Sequence, residues 1–115
     1  MKKKEQQIQK DILNALNRLG YYVFKINNVG IKKPDGHYIP AGRRGVSDIL
    51  GLAPDGKFVA IEVKTPERRN NISIHQQDFL DRIREHGGIA FIACSAIEAI
   101  NNINRYYAIK KMGAE

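Results

Sequence analysis

Phe58-Val59-Ala60-Ile61-Glu62-Val63-Lys64 is the most strand-like run in the chain, and it carries two charges among apolar residues. Side chains alternate between the two faces of a strand. Val59, Ile61 and Val63 therefore share one face, and Phe58, Ala60, Glu62 and Lys64 share the other. Glu62 and Lys64 stand roughly 6–7 Å apart along that second face. Burying a carboxylate or an amine without a partner is costly, so the pair needs a reason. A cross-strand ion pair on a solvated sheet face is one reason. A catalytic or metal-binding site is the other.

The run just before it decides between them. Gly45-Val46-Ser47-Asp48-Ile49-Leu50 opens a second strand predicted over Val46 to Ala53, and Pro54-Asp55-Gly56 is a turn signal. If that turn is a three-residue loop with a glycine bulge, Ala53 faces Lys57, and counting back sets Asp48 opposite Glu62. A loop longer by one residue would shift the register and separate them. Opposed residues share a face about 5 Å apart. Carboxylates that close repel, and a divalent cation bridging them removes the conflict. The expected arrangement is Mg2+ or Mn2+ on Asp48 and Glu62, with the carbonyl of Val63 as a third ligand. The metal would activate water for attack on a phosphodiester, with Lys64 stabilising the developing charge.

Outward from this hairpin, apolar spacing predicts a helix from about Lys4 to Leu19 through Ile8, Ile12, Ala15 and Leu16, stopped by Gly20. Tyr21 to Asn27 reads as a strand, and Asn28 to Arg44 as a long loop or irregular hairpin. After Phe58 to Thr65, Pro66 to Asn71 is a basic loop. A helix follows from Ile74 to Glu85, ended by Gly87-Gly88. Ile89 to Cys94 is a short apolar strand of the kind buried on both faces. Ser95 and Glu98 make a capping-box pattern for a last helix through about Tyr106. The order is α-β-β-β-α-β-α. A meander of three strands joined by a right-handed crossover to the fourth gives a central mixed sheet flanked by helices, an α/β fold.

Two more residues fit the same site. Glu5 continues the apolar stripe of the first helix, which aims it at the sheet; equally, an acid suits a first helical turn. Gln76 lies on the buried face of the second helix with Phe79 and Leu80, and Ser73-x-x-Gln76 is also a capping box, so both roles can hold.

The composition is compatible with such a site. At 115 residues, 43% apolar and 27% charged, the chain suits one folded domain over 1–115 rather than a disordered segment. Nineteen Lys and Arg against twelve Asp and Glu give a formal charge of +7, which favours a polyanion as partner. The pairs Lys32-Lys33, Arg43-Arg44 and Arg68-Arg69 fall in loops, where they can reach phosphates. No run of residues is long and apolar enough for a membrane span, and none reads as a secretory signal. With a lone Cys94, the expected compartment is a reducing cytoplasm.

The ordered set of these residues resembles the PD-(D/E)XK nuclease superfamily, and within it the VRR-NUC (virus-type replication-repair nuclease) branch. The matching pieces are Glu5 with Ile8, Gln9 and Ile12; Asn27; Gly45 to Leu50; Ile61-Glu62-Val63-Lys64-Thr65-Pro66; Gln76 with Phe79 and Leu80; and Gly87-Gly88. The resemblance implies a restriction-endonuclease-like core and Mg2+- or Mn2+-dependent hydrolysis of phosphodiesters. It implies that Asp48 and Glu62 are metal ligands, Lys64 is catalytic, Glu5 is the acid of the first helix and Gln76 the supporting residue of the second. Ser47 stands where the superfamily name has proline. Stand-alone members look like phage or bacterial proteins, dimeric and directed at branched DNA such as Holliday junctions.

Other chemistries find less support. His37, His75 and His86 lack zinc spacing, and His75 reads as a surface residue. Cys94 reads as a buried core thiol. Ser47 and Ser73 have no recognisable triad partners, and Gly30, Gly36 and Gly42 are too scattered for a phosphate loop. Tyr106 and Tyr107 are expected to pack on the core. Two alternatives to a structure-specific endonuclease stay open: a non-catalytic basic nucleic-acid-binding module, and a sequence-specific restriction enzyme. The second would have little material for target recognition.

Overall fold

The computed structural model describes residues 2–27, 30–39 and 42–113. Helix α1 spans Lys2–Arg18, and strands β1 to β5 span Tyr22–Lys25, Ile31–Lys32, Tyr38–Ile39, Ile49–Leu52 and Phe58–Val63. A 3-10 turn at Pro66–Arg68, helix α2 (Ile74–Glu85), strand β6 (Ile89–Ala93) and helix α3 (Ala96–Gly113) complete the order.

The β4–β5 turn sets the register of the whole sheet. Ala53 N–H donates to the Lys57 carbonyl at 2.8 Å, and Gly56 N–H donates to the Ala53 carbonyl at 2.8 Å. Gly56 has φ +90°, the conformation a glycine bulge needs. The strands then pair Ile49 with Ile61 and Leu52 with Phe58. The three-residue loop expected from Pro54-Asp55-Gly56 is thus the one formed.

The main sheet has the order β1-β4-β5-β6, antiparallel from β1 to β5, with β6 parallel to β5. It is the mixed α/β sheet of a restriction-endonuclease-like fold. The segment between β1 and β4 holds a small second sheet, β2 against β3, turned at Pro34-Asp35-Gly36. The expectation of an irregular hairpin there holds for the described part; Asn28, Val29, Pro40 and Ala41 lie outside the described residues.

Alternation in β5 sorts the molecule into two layers. Val59, Ile61 and Val63 join Ile8, Ile12 and Leu16 of α1 and Ala99 and Ile103 of α3 in the larger core. Ala60 belongs to a smaller cluster with Leu80 of α2 and Ala90 of β6. Helix α2 packs on β5 and β6. On the β1–β4 half of that face Tyr22, Phe24 and Leu52 stay exposed.

Several boundaries differ from the sequence reading. Helix α1 ends at Arg18, so Leu19 falls off its apolar stripe and is exposed. Helix α3 continues past Tyr106 to Gly113, because Ala108 to Met112 contains no residue that stops a helix. The Ser95 cap forms, with Glu98 N–H donating to Ser95 Oγ. The Glu98 carboxylate accepts instead from Cys94 N–H at 2.7 Å and from Arg69. Tyr106 and Tyr107 do pack on the core, their hydroxyls donating to the Gly87 carbonyl and to Asp55. Cys94 is buried.

Candidate active site

The site grows from the register. Ile49 opposite Ile61 places the preceding residue, Asp48, opposite Glu62. Asp48 Oδ2 accepts the main-chain N–H of Val63 at 2.8 Å, which ties its carboxylate to the β5 backbone. Glu62 is only 3% exposed. Its Oε2 accepts from Gln76 Nε2 at 2.9 Å and lies 3.7 Å from Lys64 Nζ. Lys64 Nζ also donates to Gln76 Oε1 at 3.3 Å.

Gln76 is held by its own helix. Ser73 caps α2, its Oγ accepting from Gln76 N–H, while Gln76 Oε1 accepts from Ser73 N–H at 2.9 Å. The amide oxygen therefore faces the cap and Lys64, and the amide nitrogen faces Glu62. The expected capping box is formed, and the same side chain touches both Glu62 and Lys64.

The electrostatics of the acid pair are unusual. Burial pushes Glu62 up to about 8, reinforced by the Asp48 charge and opposed by Lys64. Burial also raises Asp48, against the opposing pull of the Val63 N–H. The two carboxyls compete for one negative charge. Glu62 Oε1 is buried with no hydrogen-bond partner among the described residues. A carboxylate oxygen left so is expensive unless something positive meets it.

That donor set fits a hard divalent cation, since two acids and nearby main-chain oxygens are its preferred ligands. Among the described residues no three His, Cys, Asp or Glu side chains gather tightly enough to hold an ion by themselves. Main-chain and solvent oxygens would have to complete the shell. Glu5 is half-buried, and its charge contributes to the raised pKa of Glu62.

A cavity of about 750 Å3 opens beside Asp48. Asp48, Glu5 and Gln76 line it, with Gln9, Lys25, Asn27, Arg43, Arg44, Ser73 and His75. Glu62 and Lys64 lie behind Asp48 and Gln76 rather than in the wall. Of the basic pairs singled out in the sequence, only Arg43 and Arg44 line this cavity. Lys32 and Lys33 lie at the end of β2 and the turn after it, exposed. Arg68 is exposed on the 3-10 turn, and Arg69 makes a bidentate ion pair with Glu98.

Lys25 and His75 line the cavity; the sequence reading missed the first and, for the second, favoured a surface role over a phosphate contact beside Gln76. A lysine ending the aromatic run Tyr22-Val23-Phe24 was the available signal for Lys25; its charge favours ionised Asp48. His75 is exposed but is drawn to the cavity by Gly45. Gly45 has φ +81°, and a Cβ there would run into the main chain of His75. The loop carrying Arg43 and Arg44 can therefore lie flat on the start of α2.

The VRR-NUC domain model matches residues 3–97, from α1 into the first turn of α3. The chain belongs to the VRR-NUC family. It is therefore a nuclease domain of the PD-(D/E)XK type, and a nucleic acid is the substrate class that such a domain implies. A comparison with curated proteins gave no match. Among the described residues no helix is long and apolar enough to cross a membrane.

Proposed function

We propose that this VRR-NUC chain, one domain over residues 1–115, is a divalent-metal-dependent endonuclease hydrolysing DNA phosphodiester bonds. The observation that carries the reading is the pairing of half-buried Asp48 with buried Glu62, whose Oε1 has no partner among the described residues. Asp48 and Glu62 would hold Mg2+ or Mn2+, with the Val63 carbonyl and Glu5 as further oxygen ligands. When bound, the ion polarises the phosphodiester and acidifies a water. Lys64 supplies a fixed positive charge for the developing negative charge on phosphorus oxygens. Gln76 positions Lys64 and Glu62 relative to one another through its two ends. Lys25, Arg43 and Arg44 supply cationic contacts for phosphates on the cavity wall, and Lys32, Lys33, Arg68 and Arg69 extend the basic surface.

The family analogy favours branched DNA, such as a Holliday junction, as substrate and a homodimer as the active form, since cutting two strands with one small domain calls for two copies. A cytoplasmic setting in a bacterium or phage-infected cell goes with that reading. The test is incubation with four-way junction, flap, linear duplex and single-stranded DNA, each with Mg2+, Mn2+ or chelator. Cleavage is expected only with metal and to be greatest on branched substrates. Cutting that persists in chelator, or in Glu62→Gln, would defeat the assignment.

A further inference from the structure

A second cavity, of about 520 Å3, lies between the start of β5 and the far end of α2. Its walls are Phe58, Phe79 and Ile83, and Gly87-Gly88 contributes bare main chain. A Cβ at Gly88 would crowd the Ile83 side chain and the Phe58 carbonyl. Phe58 is 39% exposed, an open aromatic face on a strand whose next five residues are all buried. Arg43, Gly56, Lys57, Arg82 and His86 complete the lining, and among the described residues no acid is part of it. Arg82 is shared with Asp78, in an exposed ion pair at 2.9 Å.

Arg43 lines both this cavity and the candidate active site. Phe58 and Glu62 also lie on the same face of β5, four residues apart, which is about 13 Å along the strand. That span matches about four steps of a stacked nucleic-acid strand at 3.4 Å each. An aromatic wall with a cationic rim is the chemistry that binds unpaired nucleotides: rings stack on bases, and Lys and Arg meet the phosphates. A paired duplex offers no free base face to such a wall.

We propose that this second cavity binds an unpaired nucleotide of the substrate strand, stacked on Phe58 and Phe79, and so favours, among branched DNAs, those in which a single-stranded segment adjoins the cleaved bond, a flap over a fully paired junction. The proposal rests on the nuclease reading above for the polarity of the path, but its test does not require cleavage. Equilibrium binding is measured in chelator, by fluorescence anisotropy, for a duplex with a single-stranded overhang and for the same duplex made blunt. Wild type is expected to prefer the overhang. In Phe58→Ala that preference falls about tenfold, the loss of one base–aromatic stack, and Phe58→Tyr restores it. Tyr22→Ala, an exposed ring on the same sheet face but outside the cavity, leaves the preference as in wild type.

Equal affinity of wild type for both DNAs would overturn the proposal, as would an unchanged preference in Phe58→Ala. Sedimentation of wild type and Phe58→Ala distinguishes the remaining case. A dimer that falls apart in Phe58→Ala would show that the ring faces a second copy of the chain, and the proposal would fall. Failure of Glu62→Gln to abolish cleavage would defeat the nuclease site and leave this binding result standing.

Discussion

The two faces of the sheet use the same strands for opposite purposes. Under α1 and α3, Val59, Ile61 and Val63 are wholly buried among aliphatic side chains. The three valine and isoleucine side chains are apolar and need no partner. Under α2 the small cluster of Ala60, Leu80 and Ala90 stops short of both ends of β5. At one end lie Asp48, Glu62 and Lys64, and at the other the open ring of Phe58. One face is therefore a core that supplies stability. The other sacrifices packing to present charge and aromatic surface, and its polar groups are held by specific hydrogen bonds instead. Such a division makes removal of a side chain behave differently on the two faces.

The sharpest break of that contrast is at the acid pair. Glu62→Gln and Asp48→Asn should each lower metal-dependent cleavage by at least on the order of 10²–10³-fold, the range for losing one charge-stabilising group, while leaving the fold intact by circular dichroism. Retained activity would make the pair a structural feature only. On the other face the effect moves from chemistry to stability. Ile61→Ala should destabilise the fold by about 2–5 kcal/mol in urea denaturation, and the surviving folded molecules should cut at an ordinary rate. A stability loss below 1 kcal/mol, on the order of a surface change, would mean that the larger cluster is not the stabilising core.

The pH dependence of the metal-free protein separates the faces again. Glu62 is raised from 4.5 to about 8 in the fold. Between those values the folded state holds a proton that the unfolded chain has released. Stability is therefore greatest at the low end of this window and falls as pH rises through about 8. The raised Asp48 acts in the same direction. Urea midpoints in chelator at pH 5, 6.5 and 8 should decline in wild type and decline less in Glu62→Gln, where only Asp48 remains raised. Mg2+ or Mn2+ should restore the wild-type midpoint at pH 8. A midpoint that rises with pH in wild type would contradict the burial of the acid.

A smaller effect sharpens the account of Gln76. Ser73→Ala removes the α2 cap and should cost about 1 kcal/mol. It should also lower the cleavage rate several-fold through a looser Gln76, with substrate affinity little changed. Stability lost with the rate untouched would restrict Ser73 to capping.

Much of this was legible in the residues. The alternation in Phe58 to Lys64 already divided the strand into a core face and a site face. Pro54-Asp55-Gly56 set the hairpin length, and with it the meeting of Asp48 and Glu62. Both are local: a period of two and a turn three residues long leave few ways to fold. Ser73 and Gln76 were legible for the same reason, since a capping box is complete within four residues. Arg68 and Arg69 were less so. Their charge was visible, but only the packed chain shows Arg69 bound to Glu98, twenty-nine residues away.

By themselves, then, the residues determined the elements, the hairpin register and the pairing of two acids on one face, because those follow from short-range periodicity and turn geometry. Tertiary structure alone decided how deeply Glu62 is buried and that its Oε1 has no partner among the described residues. It also decided that Lys25 and His75 join the cavity, and that α2 leaves Phe58 open beside a cationic rim. Burial and unpartnered groups are properties of what packs from elsewhere in the chain, and helix α2, the Gly45 loop and β1 reach the site only when the sheet has closed around them.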